Sequence, residues 1–556
     1  APGRWREAAQ TAAPAGPLPA RAGRAAVARA DLERDAGNPG AERERREAAR
    51  HWLSAPRRRL AQPPLDSSFL AGRLSSLERG LVLALQLERP ESALLFNDET
   101  RSQSLTVQLR RRLTQPPAGG SNHSLSARRQ ELLAELNLLE HELRVEHPAN
   151  SGAEATTQQT IFLSTRQSNL MGRRQKTAEA YQEVCAQLER ATQHGGSPAR
   201  PDPADIAPLK LEQLQSAGWH GLAYHWQDDA LTTFIITPDT IKANRRSLSS
   251  LDQTALELCA SPHPQKRALI YGQPGAPLAN PALSWRQRRQ LYDLLIPPEA
   301  DLAPNRPLVI VPHGPLYGLS FQALLNPAGR PLVEQTAITY APSLALLHAL
   351  RAPRVPAGRP ERLDAALVIG IQTFNGRYPE LSHARQEAIA IAQTLSRPAS
   401  QPPTLLLNEQ ATVAGLQAHA GRYRLIHLAT HGFFDTRHGR LAGLALADQD
   451  LRLDDLPPLG LTAPLVVLSA CETGLGIGQT GAQVGGVAGA FFALGAETIL
   501  GTLWPAHDAA TAGIMESFYR ELQGGSSPAV ALAQAQRNNV SLPLYYWASL
   551  ACFGIP

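Results

Sequence analysis

Two residues whose chemistry goes beyond packing stand at the ends of apolar, β-branched runs. "RLIHLAT" (424–430) leads into His431 and Gly432, and "PLVVLSA" (464–470) leads into Cys471. A thiol is only about a few per cent ionised near neutral pH and needs a base or a positive environment to act as a nucleophile. An imidazole supplies both. If the two strands are neighbours, ring and thiol project from the same edge. The missing side chain at Gly432 lets a carbonyl oxygen approach its N–H, half of an oxyanion hole, with the N–H of Cys471 as the other half. Spacing alone leaves the opposite reading equally open, that of a core cysteine and a capped strand-end histidine.

Asp508, with Trp504 ahead of it in "LWPAHDAAT", follows the last clear strand and gives two candidate substrate-binding residues. An acid at the mouth of a site could pair with an arginine or lysine side chain. The competing reading is an N-cap for "AATAGIMESFY", where an acid satisfies amide donors, and the two roles could coexist. His427 lies four residues before His431, but in a strand-like run residues four apart are too distant to share one ion, so it reads as a core histidine. Glu472 and Thr473 either polarise the site or begin a helix. Gly474, Gly476 and Gly478 match no nucleotide fingerprint and read as a loop over the cleft. Cys259 and Cys552 sit in apolar contexts as inert thiols, and Cys185 lies on a polar helical segment.

The elements that must position these residues change character along the chain. Residues 1–65 are rich in Ala, Arg and Pro and read as low-complexity, partly disordered or helical, with little to form a core. Residues 66–195 read as helical: two helices from Phe69 to Leu113, the second opened by Pro90, then a linker at 116–124. A long antiparallel pair follows, Ser124–His147 and Ser168–His194. "GGSPARPDPAD" (195–205) marks the boundary. Beyond it, "GLAYHWQDDALTTFIITPD" is a β-hairpin around Asp228 and Asp229. "PLVIVP" (307–312), "AALVIG" (365–370), "TLLL" (404–407), "RLIHLAT", "PLVVLSA" and "TILGTLW" (498–504) then alternate with helical segments. Such alternation implies an α/β fold with a mostly parallel sheet covered on both faces, and chemistry at the carboxyl ends of its strands.

The 556 residues exceed what one core usually supports. Four dispersed cysteines without a CxxC argue against a disulfide framework or zinc ribbon and fit a reducing, cytoplasmic setting. No run is apolar enough to span a bilayer, and no signal peptide is present. The chain begins without a methionine, as a fragment of a longer protein would. Residues 1–200 hold 29 Lys+Arg against 22 Asp+Glu, leaving 25 against 27 in the remainder, so the net positive charge belongs to the N-terminal part. Intermixed signs, as in "AERERREAAR", favour a solvated helical face over a nucleic-acid surface.

"HLATHGFF" and "LSACETG" together resemble the CHAT domain, a branch of the caspase, gingipain and separase group of cysteine peptidases. "VIVPHGPLYGLSFQALL", "YAPSLALLHAL", "ARQEAIAIA", "GTLWPAHDAAT", "FYRELQGG" and "YYWASLACFG" extend the resemblance over residues 205–556. It implies a caspase-like α/β/α sandwich and a cysteine endopeptidase acting through an acyl-enzyme, with His431 as general base and Cys471 as nucleophile. It gives Asp508 a counterpart in a specificity residue of separase-like relatives, and it requires no metal or organic cofactor. The N-terminal helices resemble the end of a tetratricopeptide (TPR) array, and "ESALLFNDETRSQSL" resembles the segment that joins such arrays to the catalytic part. The expected partner is a protein substrate, with a regulatory protein or nucleic acid at the helices. Two rivals stay open: a non-catalytic caspase-like scaffold, and a latent effector of a bacterial defence system.

Overall fold

Each apolar run singled out beyond residue 300 is a strand, and all belong to one sheet. The computed structural model describes residues 19–54, 67–113, 123–145, 168–181, 183–184, 187, 209–215, 218–261, 263–273, 278–300, 302, 306–351, 361–396, 402–419, 421–433, 443–452, 456, 461–469, 486–504 and 508–556. The expected boundary at 195–205 lies outside them.

The hairpin forms as its alternation predicts. Strand β1 (His220–Gln227) pairs with β2 (Ala230–Ile236) across a turn where Asp228 takes φ 55°, and β3 (Ile241–Ser247) adds an antiparallel edge. Next come β4 (Leu308–Val311), β5 (Ile338–Tyr340), β6 (Glu361–Gly370), β7 (Thr404–Leu407) and β8 (Gly421–Ala429). A small second sheet contains β9 (Gly432–Phe433), β10 (Gly443–Ala445) and β11 (Asp450–Arg452). The chain then returns to the large sheet through β12 (Leu461–Thr462), β13 (Leu465–Ser469), β14 (Thr498–Thr502) and β15 (Leu550–Gly554).

The spatial order is β3-β2-β1-β4-β5-β15-β14-β13-β8-β6-β7, with β12 alongside β8. Among the described residues eight of its eleven pairings are parallel. The antiparallel pair β14–β15 divides the sheet. On one side β1, β4, β5 and β15 run together; on the other β14, β13, β8, β6 and β7 run in the opposite sense. The carboxyl ends of the two halves therefore lie at opposite edges. Residues 425–430 of β8 and its end are buried without interruption, so both faces of the sheet are covered, as the expected α/β sandwich requires.

The N-terminal helices contribute more interior than their composition suggests. Pro19–Asp35 packs on Pro39–Ser54, which packs on Ser67–Gln86, which in turn pairs with Pro90–Leu113. Alanines admit close helices: Ala30 and Ala49 are fully buried. The buried Arg46 bridges Glu42 at 2.9 Å, Asp31 at 2.6 Å and Ser76 at 2.9 Å. Gly80 lets helix 67–86 approach the Phe96 ring, which a Cβ would meet at 2.5 Å. Helices 123–145 and 168–181 pack together through their own small core of Leu132, Leu136, Ala178 and Tyr181.

Helix 90–113 shares the main core through Ala93, Leu94, Leu95 and Phe96. Two charged residues dock it. The buried Asp98 carboxylate accepts the N–H groups of Leu344 at 2.5 Å and Ala345 at 3.0 Å, capping the helix that follows β5. The Arg101 guanidinium donates to the carbonyls of Tyr224 and Pro312 near the ends of β1 and β4. Burial pushes Asp98 up to about 6, against the N–H groups that favour its charged form.

Candidate active site

His431 directly follows β8, half-exposed at the carboxyl edge of the C-terminal half-sheet. Its Nε2 lies 2.8 Å from the carbonyl oxygen of Pro379. A carbonyl only accepts, so Nε2 carries a proton, and in the neutral ring Nδ1 is then the basic atom. The chain leaving β6 builds this contact. Gly370 packs where a Cβ would fall 2.5 Å from the Cβ of Ala388, so the strand end presses against helix Ala384–Leu395. Asn375 and Gly376, at φ 51° and 76°, then turn the chain back, closed by the Arg377 N–H on the Phe374 carbonyl at 3.0 Å.

That turn brings two aromatic rings to the imidazole. Tyr378 stacks on it with centroids 5.3 Å apart and planes 22° apart, and Phe374 lies at 4.9 Å and 50°. Asp450, at the start of β11, holds the loop from the other side. It accepts Arg377 at 2.7 Å and the Tyr378 hydroxyl at 2.8 Å, while Arg377 also reaches the Leu446 and Ala447 carbonyls. None of these residues was singled out from sequence. The available signal was Asn-Gly just past a strand end, followed by Arg-Tyr-Pro, which marks a tight, functional loop.

Gly432 starts β9 and sits opposite Leu444. The preceding pair is hydrogen-bonded, with Ala445 N–H donating to the His431 carbonyl at 2.8 Å. The alternation of an antiparallel ladder turns the Gly432 N–H away from β10. On the neighbouring strand, β13 pairs in parallel with β8, Ser469 against Ala429. Cys471, the loop containing Glu472 and Thr473, and Gly474, Gly476 and Gly478 lie outside the described residues, as does Cys185.

Asp508 is the first residue of helix Asp508–Gln523. Trp504, expected near the mouth, is instead fully enclosed. It stacks on Tyr271 at 4.6 Å, has Arg267 over its ring at 5.7 Å and donates Nε1–H to the Tyr545 carbonyl at 3.0 Å. Its faces are taken up by packing because the end of β14 is covered by helix Pro264–Tyr271 and by the segment around Tyr545.

His427 is the core histidine its strand setting suggests. It is fully buried, with Nδ1 3.0 Å from the Tyr519 hydroxyl and Nε2 3.5 Å from Glu387, and burial pushes it down to about 3. These contacts tie β8 to helices 384–395 and 508–523. Burial pushes the Cys259 and Cys552 thiols up to about 12, so both are inert at neutral pH. Among the described residues no three His, Cys, Asp or Glu side chains cluster to hold a metal ion, and no helix is long and apolar enough to cross a membrane.

No curated protein matches this chain. Among solved structures, a complex of Porphyromonas gingivalis RgpB pro- and mature domains is similar at 15% identity and TM-score 0.32, over 50% of this chain and 69% of that one. The Arg-specific cysteine proteinase gingipain R is similar at 14% identity and TM-score 0.33, over 50% of this chain and 67% of that one. The Saccharomyces cerevisiae separase–securin complex is similar at 11% identity and TM-score 0.41, over 100% of this chain and 48% of that one, so the chain spans about half of its length. Residues 286–555, from helix Pro281–Leu295 to the last strand, match the family model of the CHAT domain.

Proposed function

We propose that this chain is a cysteine endopeptidase in which Cys471 attacks a peptide carbonyl and His431 manages the protons. The reading rests on the β8–β13 register: Ser469 pairs with Ala429, and Cys471 and His431 each follow that pair by two residues. Neighbouring strands run about 4.8 Å apart, so side chains leaving equivalent positions start close to hydrogen-bond reach. With Nε2–H donated to Pro379, Nδ1 takes the thiol proton and later returns it to the leaving amine. Water then hydrolyses the acyl-enzyme. The Gly432 N–H, turned away from β10, and the Cys471 N–H hold the oxyanion.

Asp508 is the acceptor for an arginine or lysine side chain preceding the cut. The substrate is a protein, and the N-terminal helices are a docking or regulatory region built onto the catalytic part through helix 90–113. Trp504 supports the floor rather than touching substrate. The sequence of steps needs no metal or organic cofactor.

Cleavage of a peptide library by the full chain tests this. Cys471→Ala is expected to lose cleavage by roughly a thousand-fold or more, and Asp508→Ala to lose selectivity for basic residues. Wild-type cleavage by Cys471→Ala sinks the nucleophile assignment. Unchanged selectivity in Asp508→Ala sinks the pocket assignment alone.

A further inference from the structure

The loop at 371–381 and β11 meet at His431 in a way the dyad alone does not require. The Pro379 carbonyl takes the Nε2 proton, and the adjacent Tyr378 stacks on the ring. The Tyr378 hydroxyl and Arg377 converge on the two oxygens of Asp450, whose side chain is 6% exposed. Asp450 is carried by β11, which pairs with β10, and β10 pairs with β9 immediately after His431. The chain of contacts is closed: ring, loop, carboxylate, small sheet, and back to the backbone of the same histidine. The loop thus places an ion pair and a phenol–carboxylate bond directly behind the imidazole.

We infer that Asp450 and Tyr378 are positioning residues that hold the Pro379 carbonyl on His431 and thereby set which imidazole nitrogen faces the nucleophile. The inference rests on the dyad proposed above. Asp450 touches neither the reacting atoms nor the imidazole; it acts through Tyr378 and Arg377. Among the described residues, the charged groups on the elements packed around the ring are Arg377 and Glu380 of the loop, Asp448 of the β10–β11 turn, and Asp450 and Arg452 of β11. Arg377 is paired with Asp450, Arg452 is fully buried, and Asp448 is exposed and accepts the N–H of Gln449 at 3.0 Å.

A carbonyl that accepts from Nε2–H supports the doubly protonated ring more than the neutral one. The ring takes the double-proton form when it has received the thiol proton, so losing the carbonyl makes the thiolate harder to form. Iodoacetamide is the probe: its rate of alkylation of Cys471 in the full chain is followed against pH by peptide mass spectrometry. Asp450→Asn keeps one acceptor oxygen but loses the charge pair with Arg377. It is expected to raise the alkylation midpoint by about half to one pH unit. Tyr378→Phe keeps the stacked ring, loses only the hydroxyl bond, and raises the midpoint by a smaller amount in the same direction. Asp448→Asn, two residues away, leaves it unmoved.

A role in folding alone lowers the unfolding temperature of Asp450→Asn and Tyr378→Phe without moving the midpoint, and that result overturns the inference. The dyad fails differently: wild type then titrates as an unassisted thiol, and His431→Ala changes nothing. If Asp450→Asn does not fold, Tyr378→Phe decides, since its packing is nearly unchanged.

Discussion

The two halves of the sheet present the same short sequence at opposite edges and treat it in opposite ways. In the N-terminal half β4 ends in Pro312-His313-Gly314; in the C-terminal half β8 ends in Thr430-His431-Gly432. His313 lies beside the Arg101 charge of helix 90–113. Arg101 caps the neighbouring carbonyls, the Trp226 N–H donates to Nδ1 at 3.2 Å, and His225 lies 5.1 Å away. Burial and the Arg101 charge push His313 down to about 2 and His225 to about 4, so both rings stay neutral. His431 instead donates its Nε2–H to the carbonyl of Pro379, with Tyr378 stacked on its ring. The comparison teaches that a strand-end His-Gly is only a position. What lies across from it decides whether the ring accepts, as His313 does from the Trp226 N–H, or donates, as His431 does to the Pro379 carbonyl.

Exchanging the fates of the two histidines tests that contrast most strongly. His431→Ala is expected to cut peptide cleavage by about a thousand-fold or more. His313→Asn, whose Oδ1 can replace Nδ1 as acceptor for the Trp226 N–H, is expected to leave cleavage within about two-fold. Comparable losses in both variants would erase the distinction between the halves.

Next in size is the Arg101 contact. Arg101→Met leaves the Tyr224 and Pro312 carbonyls buried without their donor, at a cost of about 3 kcal/mol in urea unfolding. An unchanged unfolding midpoint would mean that helix 90–113 is held by Asp98 and its apolar face without help from Arg101.

Smaller still, taken group by group, is a pH dependence of stability. For an imidazole whose folded value is depressed, the unfolded chain binds the proton first, so stability falls as pH drops below about 6.5. His225, His313 and His427, depressed to about 4, 2 and 3, are each expected to lose about 2 kcal/mol by pH 5. Asp98 works the other way. Raised to about 6, it takes up a proton in the folded state before the unfolded one, and returns about 1 kcal/mol over the same interval. Urea titrations from pH 7 to 5 should therefore show a net loss, steeper in Asp98→Asn. A flat profile would mean these rings are less buried in solution.

The strands of the C-terminal half were legible because a strand buried on both faces reads as a continuous apolar run, as "RLIHLA" and "LVVLS" do. The hairpin was legible from alternation and its turn. The small sheet was not: strands of two or three residues carry no period. Nor was the reversal at β14–β15, since strand direction is a property of the pairing. Residues 19–54 looked too poor in large apolar side chains to pack, yet alanine at a close helix contact and a bridged arginine fill the space instead. At the site, His431 and Gly432 were visible as strand-end residues. Phe374, Tyr378, Pro379 and Asp450 were not, because each meets His431, or the residue that meets it, only through the fold. Trp504 was misplaced for the same reason: a tryptophan near a strand end looks like a binding surface until its neighbours cover it.

The sequence by itself determined which residues could do chemistry, and that two of them stand just past the ends of apolar strands, because residue type and periodicity are local. Only the tertiary structure decided that β8 and β13 are neighbours in matching register, that His431 donates through Nε2 to Pro379, and that Arg101 holds the carbonyl just before the second strand-end histidine. Those are relations between segments tens to hundreds of residues apart, set by which faces bury together and which buried polar groups find partners.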